Sequence, residues 1–281
     1  MRADGVYADL SDMEYHADPA LSASGAKLLL PPSVPAKFKE RRDNPPEPKP
    51  HFDFGHLVHA LVLGKGSELA LVDATDWRTK AARDARDAAH AEGRIPVLGD
   101  EYRMAVLMRG AIREHPVAAD LFTDGEAEQS LFATDPDTGM KLRARPDWMT
   151  TRDGRLWLVD LKTSVTAEPG AFARRAADYK YHLQAAFYVY VARLLGLDDG
   201  AAFILVAVEK EPPYLVSVVE FDAEAMIEGA RLARNAIDTY ARCTELDDWP
   251  GYIPGITSIS LPYWAIGNSQ PTIGELLEGA S

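Results

Sequence analysis

Apolar residues along the chain recur at helical spacing, then in alternation, then at helical spacing again, and this order of periods sketches the architecture. Near the start, Leu21-Ser22-Ala23-Ser24 offers two serines, either of which can cap a short helix over 25–30 before Pro31-Pro32 stops it. Residues 35–42 carry Lys37, Lys39, Arg41 and Arg42, and 44–50 contain four prolines that favour an extended linker. This stretch reads as a basic flap on a stiff hinge or as a solvated surface helix. Leu57, Val58, Leu61 and Val62 fall at helical spacing, so 54–63 is predicted as a buried helix with Gly64 as its stop. Residues 77–90 and 100–114 read as helices as well, the second ending at His115-Pro116.

The period then changes. Segments 127–134, 140–149 and 156–163 are rich in strand-forming residues, and Arg152-Asp153-Gly154-Arg155 supplies a hairpin turn between the last two. A helical stretch over 172–195 follows, then strands over 203–209 and 215–221 on either side of Pro212-Pro213, then a long amphipathic helix over 223–242. The expectation is an α/β fold with a mixed central sheet flanked by helices. The N-terminal helical or flap segment spans 1–50 and the principal domain 51–281, the whole reading as one structural domain.

Composition narrows the function. The 281 residues are 47% apolar, enough for a sizeable core, and no stretch approaches the ~20 apolar residues that span a bilayer. No leader pattern is visible at the N-terminus, so a cytoplasmic location is expected. The single cysteine, Cys243, excludes an intramolecular disulfide and any cysteine-ligated zinc or iron–sulfur site built from this chain alone; packing within a helix is its expected role. The net charge of −13 argues at first against nucleic acid, whose binding requires Lys and Arg at phosphates. Its distribution weakens that objection, because 14 acidic and only 4 basic residues lie from Asp198 onward, against 29 acidic and 26 basic before it. Carboxylates that hold a metal also add negative charge while serving catalysis.

The candidate chemistry sits in the predicted hairpin. Arg145-Pro146-Asp147 closes one strand and Val159-Asp160-Leu161-Lys162-Thr163 the next. Side chains alternate along a strand, so Asp160 and Lys162 share one face and Leu161 takes the other. The preceding Leu156, Trp157, Leu158 and Val159 suit a strand buried on both faces, which does not end in Asp and Lys without a use or a partner. Two carboxylates from adjacent strand ends can share one hard cation, for which Mg²⁺ is the natural choice. Such an ion activates a water and stabilises charge on a phosphodiester oxygen, while Lys162 orients or deprotonates that water. Taken alone this pattern is equally that of a surface ion pair between Asp160 and Lys162.

The surrounding motifs resolve that ambiguity. Phe54-Gly55-His56-Leu57-Val58-His59-Ala60-Leu61, Glu128, Arg145-Pro146-Asp147, Asp160-Leu161-Lys162-Thr163 and Gln184-Ala185-Ala186-Phe187-Tyr188 occur in the order found in PD-(D/E)XK nucleases. With Leu21-Ser22-Ala23-Ser24, Glu209-Lys210-Glu211-Pro212-Pro213-Tyr214 and Leu261-Pro262-Tyr263-Trp264-Ala265, the chain resembles the nuclease domain of RecE-type exonucleases (exodeoxyribonuclease VIII), common in phage recombination modules. The resemblance runs from about Tyr15 to Ala265.

It implies that Asp147 and Asp160 are metal-binding acids and Lys162 the catalytic lysine. It adds His59 and Glu128 to the metal shell, and Gln184 and Tyr188, at i and i+4 on one helical face, as residues that steady the site and touch DNA. From the residues alone, His59 among Val58, Ala60 and Leu61 reads as a packed histidine, and Tyr179 and Tyr181 as core aromatics rather than base-stacking ones. The implied activity is Mg²⁺-dependent digestion of linear double-stranded DNA from its ends, 5′→3′, with Mn²⁺ as a possible substitute, leaving a 3′ single strand for an annealing protein. Relatives form rings around DNA, which makes a homo-oligomer the expected state and Arg143, Arg145, Arg174, Arg175 and Lys180 candidates for its channel. The rivals are an endonuclease of the same fold, a DNA-binding or interaction protein that has lost turnover, and a phage assembly protein. Cas4-type relatives are excluded, since one cysteine cannot hold their cluster.

Overall fold

The computed structural model describes residues 1–45, 50–262 and 265. Two compact units are present, Met1–Pro250 and Gly251–Ser281. In the second, residues 251–262 form neither helix nor strand. Residues 46–49 of the proline run, and Tyr263 and Trp264 of the C-terminal motif, lie outside the described residues. Among those described, no helix is long and apolar enough to cross a membrane.

The first unit opens with β1 (Gly5–Tyr7), α1 (Asp12–Ala17), β2 (Leu21–Ser22), α2 (Ala23–Leu28) and α3 (Pro35–Asp43). Of the two candidate caps for α2, Ser22 serves: its hydroxyl accepts from the Gly25 amide at 3.1 Å, whereas Ser24 already lies inside the helix. The predicted buried helix is α4 (Pro50–Leu63), and Gly64, at φ +67°, ends it in the left-handed region. Next come β3 (Leu69–Val72), α5 (Lys80–Ala91), β4 (Ile95–Leu98), α6 (Gly99–Glu114) and α7 (Pro116–Leu121). β3 and β4 form a parallel pair that the sequence reading missed, since four residues give no readable alternation.

The strand cluster comprises β5 (Glu126–Ala127), β6 (Ser130–Thr134), β7 (Lys141–Ala144), β8 (Trp148–Arg152) and β9 (Arg155–Ser164). Each of the two strands predicted over 127–134 and 140–149 is in fact two strands in two different sheets. Glu128 adopts φ +52° and turns the chain between β5 and β6, and Arg145-Pro146-Asp147 makes the break between β7 and β8. The hairpin turn is as expected: Asp153 and Gly154 take φ +51° and +77°, the conformation a two-residue hairpin loop needs, and Arg152 pairs with Arg155. The helix expected over 172–195 is interrupted by Lys180 at φ +50°, giving α8 (Pro169–Asp178) and α9 (Tyr181–Leu194). β10 (Ala202–Glu209), β11 (Val216–Glu220) and α10 (Ala223–Leu246) complete the unit.

The fold is thus mixed α/β. A central sheet runs in the order β11-β10-β9-β8-β5, parallel between β9 and β10 and antiparallel elsewhere. A second sheet, β1-β6-β7-β2, takes its two outer strands from the N-terminal segment. Strand β9 is covered on both faces. Leu158 joins the cluster formed with α2, α9 and α10, through Leu183, Phe187 and Ile237, while Val159 and Leu161 join Leu57, Val58, Met108 and Ile112 of α4 and α6. That double burial explains the near-continuous apolar run before Asp160.

Candidate active site

The β8–β9 ladder determines where the acids meet. Its last pair is Trp148 with Val159, so Asp147, just before β8, and Asp160, the next residue along β9, both lie at this end of the ladder. Instead of extending the backbone ladder, the Asp147 carboxylate accepts the Leu161 amide proton through Oδ2 at 2.6 Å. Its other oxygen, Oδ1, lies 3.4 Å from Nδ1 of His59, presented by α4. The amide of Glu128 donates to the Asp147 carbonyl at 3.0 Å, which fixes the start of β6 against the same strand end.

Asp160 is buried and is engaged from α9. Its Oδ1 accepts from Nε2 of Gln184 at 2.6 Å. Oδ2 is paired with the ammonium of Lys162. Lys162 in turn lies 5.1 Å from the centre of the Tyr181 ring.

These contacts drive the two carboxyl groups apart in proton affinity. Burial alone raises Asp147, but the positive charges of His59 and Lys162 and the Leu161 amide outweigh it and hold Asp147 below the usual range. Asp160 goes the other way, raised by burial and by the neighbouring Asp147, against the opposing pull of Lys162. Burial pulls His59 down, yet the Asp147 carboxylate more than compensates and leaves it raised. Lys162 is likewise disfavoured by burial and then held well above its ordinary value by Asp160 and Asp147. One carboxylate is therefore kept charged, while its neighbour retains a proton more readily until a cation arrives.

A cleft of about 370 Å³ opens beside Asp147. His59, Glu128, Arg145, Asp147 and Tyr188 line it, together with Ser22 and Ser24 from the N-terminal segment. Burial is the main reason the Glu128 carboxyl is raised, followed by the charge of Asp12. Tyr188 is buried, which pushes its hydroxyl well above its usual range, and it packs edge-on to Phe203 at 5.8 Å.

The basic residues named as channel candidates fall in several places. Arg145 is engaged internally, through Ser130 Oγ at 2.8 Å, Asp12 at 2.6 Å and the Leu10 carbonyl at 2.8 Å. Arg143 is buried and donates to the Tyr15 and Asp18 carbonyls. On α8, Arg174 is exposed and Arg175 lies 5.9 Å from the Tyr179 ring, and Lys180 occupies the α8–α9 junction. One participant escaped the sequence reading. Lys27 on α2 reaches the site, with Nζ 3.5 Å from Gln184 Oε1 and 5.1 Å from the Tyr181 ring. It is separated from Gln184 by 157 positions, and nothing local in Gly25-Ala26-Lys27 signals the contact.

The donor set suits a divalent cation. Among the described residues no three His, Cys, Asp or Glu side chains converge tightly enough to enclose an ion. Two neighbouring carboxylates, Asp147 and Asp160, are instead a partial set of oxygen donors, of the kind that suits an ion keeping water and substrate oxygens in its shell.

Asp147 immediately precedes β8, and Asp160, Leu161 and Lys162 lie in the C-terminal half of its neighbour β9. The chain belongs to the family described as PDDEXK-like domain of unknown function (DUF3799), whose family model matches residues 22–260. A crystal structure from Eubacterium rectale, of a protein with the provisional description of an exonuclease, superposes at a TM-score of 0.62 with 11% identity, over 93% of this chain and 97% of that one. At that identity the likeness speaks for the fold. A second solved structure, SSO0001, shares 16% identity over 67% of this chain and 84% of that one, at a TM-score of 0.29. No curated protein matches the chain.

Proposed function

We propose that the protein is a Mg²⁺-dependent exodeoxyribonuclease acting on linear double-stranded DNA. The observation that carries this reading is the proximity of Asp147 and Asp160 at one end of the β8–β9 ladder, with Lys162 paired to the second acid. The family's PDDEXK-like character and the exonuclease description of the E. rectale neighbour support it. Digestion in the 5′→3′ direction, release of a 3′ single strand to an annealing protein, a role in phage recombination and a ring-shaped oligomer follow from the resemblance to RecE-type enzymes.

Asp147 and Asp160 would hold the ion, with His59 and Glu128 as further candidates. When bound, Mg²⁺ supplies Lewis acidity, lowering the pKa of a water and countering charge on the phosphodiester. The chain's own groups do the rest. Gln184 fixes the rotamer of Asp160 through Oδ1 and leaves Oδ2 directed at the site. The Leu161 amide does the same for Asp147. Lys162 keeps its proton and so acts as a fixed positive charge that orients the attacking water and offsets negative charge building on the phosphate. Burial of Asp160 keeps bulk water from screening its interaction with Lys162.

Incubating linear and covalently closed duplexes with Mg²⁺ tests the proposal. Progressive loss of nucleotides from one strand of the linear DNA, with circles intact, is expected. Rapid nicking of closed circles would favour the endonuclease reading, and no hydrolysis of either would favour a binding protein on a nuclease fold.

A further inference from the structure

Two ammonium groups stand against one ring at the edge of the active site. Lys162 and Lys27 each lie 5.1 Å from the centre of Tyr181, the first from the sheet and the second from α2. Lys162 has Asp160 as its counter-ion. Lys27 has no carboxylate within ion-pairing distance among the described residues; its hydrogen bond goes to the neutral Oε1 of Gln184. The amide receives from Lys27 on one arm and donates to Asp160 on the other, and being uncharged it cannot neutralise the second lysine.

A half-buried cation next to another cation, without an anion of its own, is an unfavourable arrangement for an apo protein. The cost is visible in the proton affinity of Lys27, which falls to about 8 through burial first, then the charge of Lys162, against the pull of the Asp160 carboxylate, with Lys180 lowering it further. The arrangement becomes favourable once an anion comes against the two lysines.

We propose that Lys27 is a substrate-binding residue of this site, accepting a backbone phosphate of the nucleic acid beside the phosphodiester that Lys162 faces. The inference rests on the nuclease reading and extends it, because it makes the N-terminal helix α2 part of the substrate surface. A phosphate contact is independent of base sequence and releases about one counterion, so removing it changes the salt dependence of binding as well as its strength.

The test uses the full chain, a fluorescent linear duplex and a chelator, so that binding is read without cleavage. Lys27→Gln removes the charge while keeping a hydrogen-bonding partner for Gln184, and Lys27→Met removes both. The expected result for each is weaker binding, with a slope of log K against log salt smaller by about 0.9. Across a fourfold rise in salt the deficit relative to wild type then shrinks by about threefold. Lys27→Arg, which keeps the charge, should retain the wild-type slope. A slope unchanged in Lys27→Gln, with turnover lowered at saturating DNA, would overturn the proposal and leave Lys27 a prop for Gln184. The nuclease reading is judged separately on wild type: a chain that neither binds nor cuts duplex DNA would bring down both.

Discussion

Replacing Lys162 by Met removes the only charge facing Asp160 Oδ2 while keeping much of the side chain's length and apolar stem. The carboxyl it leaves behind is almost wholly inaccessible, at 3% side-chain exposure. An unpaired carboxylate there escapes its penalty by taking a proton. Starting from the ordinary aspartate value of about 3.9, protonation at pH 7 costs about 4 kcal/mol, which caps the destabilisation below the upper end of the 3–5 kcal/mol typical of a broken buried pair. The sign follows from the direction of the change. Losing Lys162 raises the folded-state proton affinity of Asp160 still further, so stability is fully present below the unfolded value and is lost as pH rises. The deficit of Lys162→Met should therefore be largest at pH 7–8 and shrink by up to about 1.4 kcal/mol per unit as pH falls toward the raised value that Asp160 already holds in the wild type. Denaturant titrations of both proteins in chelator, between pH 4.5 and 8, measure this. In the same preparations, hydrolysis with Mg²⁺ should fall by roughly 10²–10⁴. A deficit independent of pH would refute the placement of Lys162 as the counter-charge of Asp160, and hydrolysis at the wild-type rate would remove it from the chemistry.

Two further predictions concern what holds the site's supports in place. Asp135 is buried, yet bonds from Arg234, Thr138 and Tyr190 outweigh burial and lower its pKa to about 2, tying the β6–β7 turn to α9 and α10. This stability is present above the ordinary carboxyl range and lost as pH falls through about 2, so Asp135→Asn should cost about 1–2 kcal/mol near pH 6, discounted for the partial exposure of Arg234, and the deficit should close in acid. Chemical denaturation at pH 6 and pH 2.5 checks this, and an equal deficit at both would count against it. At Gly229 on α10, an added methyl would overlap the His182 carbonyl of α9 and also press on Ala186. Gly229→Ala should lower stability by about 1–3 kcal/mol through forced separation of the helices, and an unchanged melting temperature would contradict the close approach.

The parts of the molecule legible in the sequence are those where one physical constraint acts over several residues. The apolar run 156–159 of β9, and the Asp153-Gly154 turn that needs two positive φ values, defined the hairpin. The boundaries failed where a single residue redirects the chain. Glu128 and Lys180 adopt left-handed conformations without being glycine, and nothing in their neighbours announces it; this split two expected strands and one expected helix. The two-stranded pair of β3 and β4 was too short to show a period. At the site, residues clustered along the hairpin could be read from spacing, and His59 and Gln184 from motif order. Lys27 could not, since its role depends on α2 packing against α9, a contact between parts of the chain with no shared local pattern.

The central claim is that Asp147 and Asp160 form a divalent-metal site, and crystals grown with Mn²⁺ test it most directly. Anomalous difference density should show a peak between these two carboxylates in the wild type, and the peak should be lost or much weakened in Asp160→Asn. No peak there at saturating Mn²⁺, or one equally strong in the Asn variant, would contradict the account.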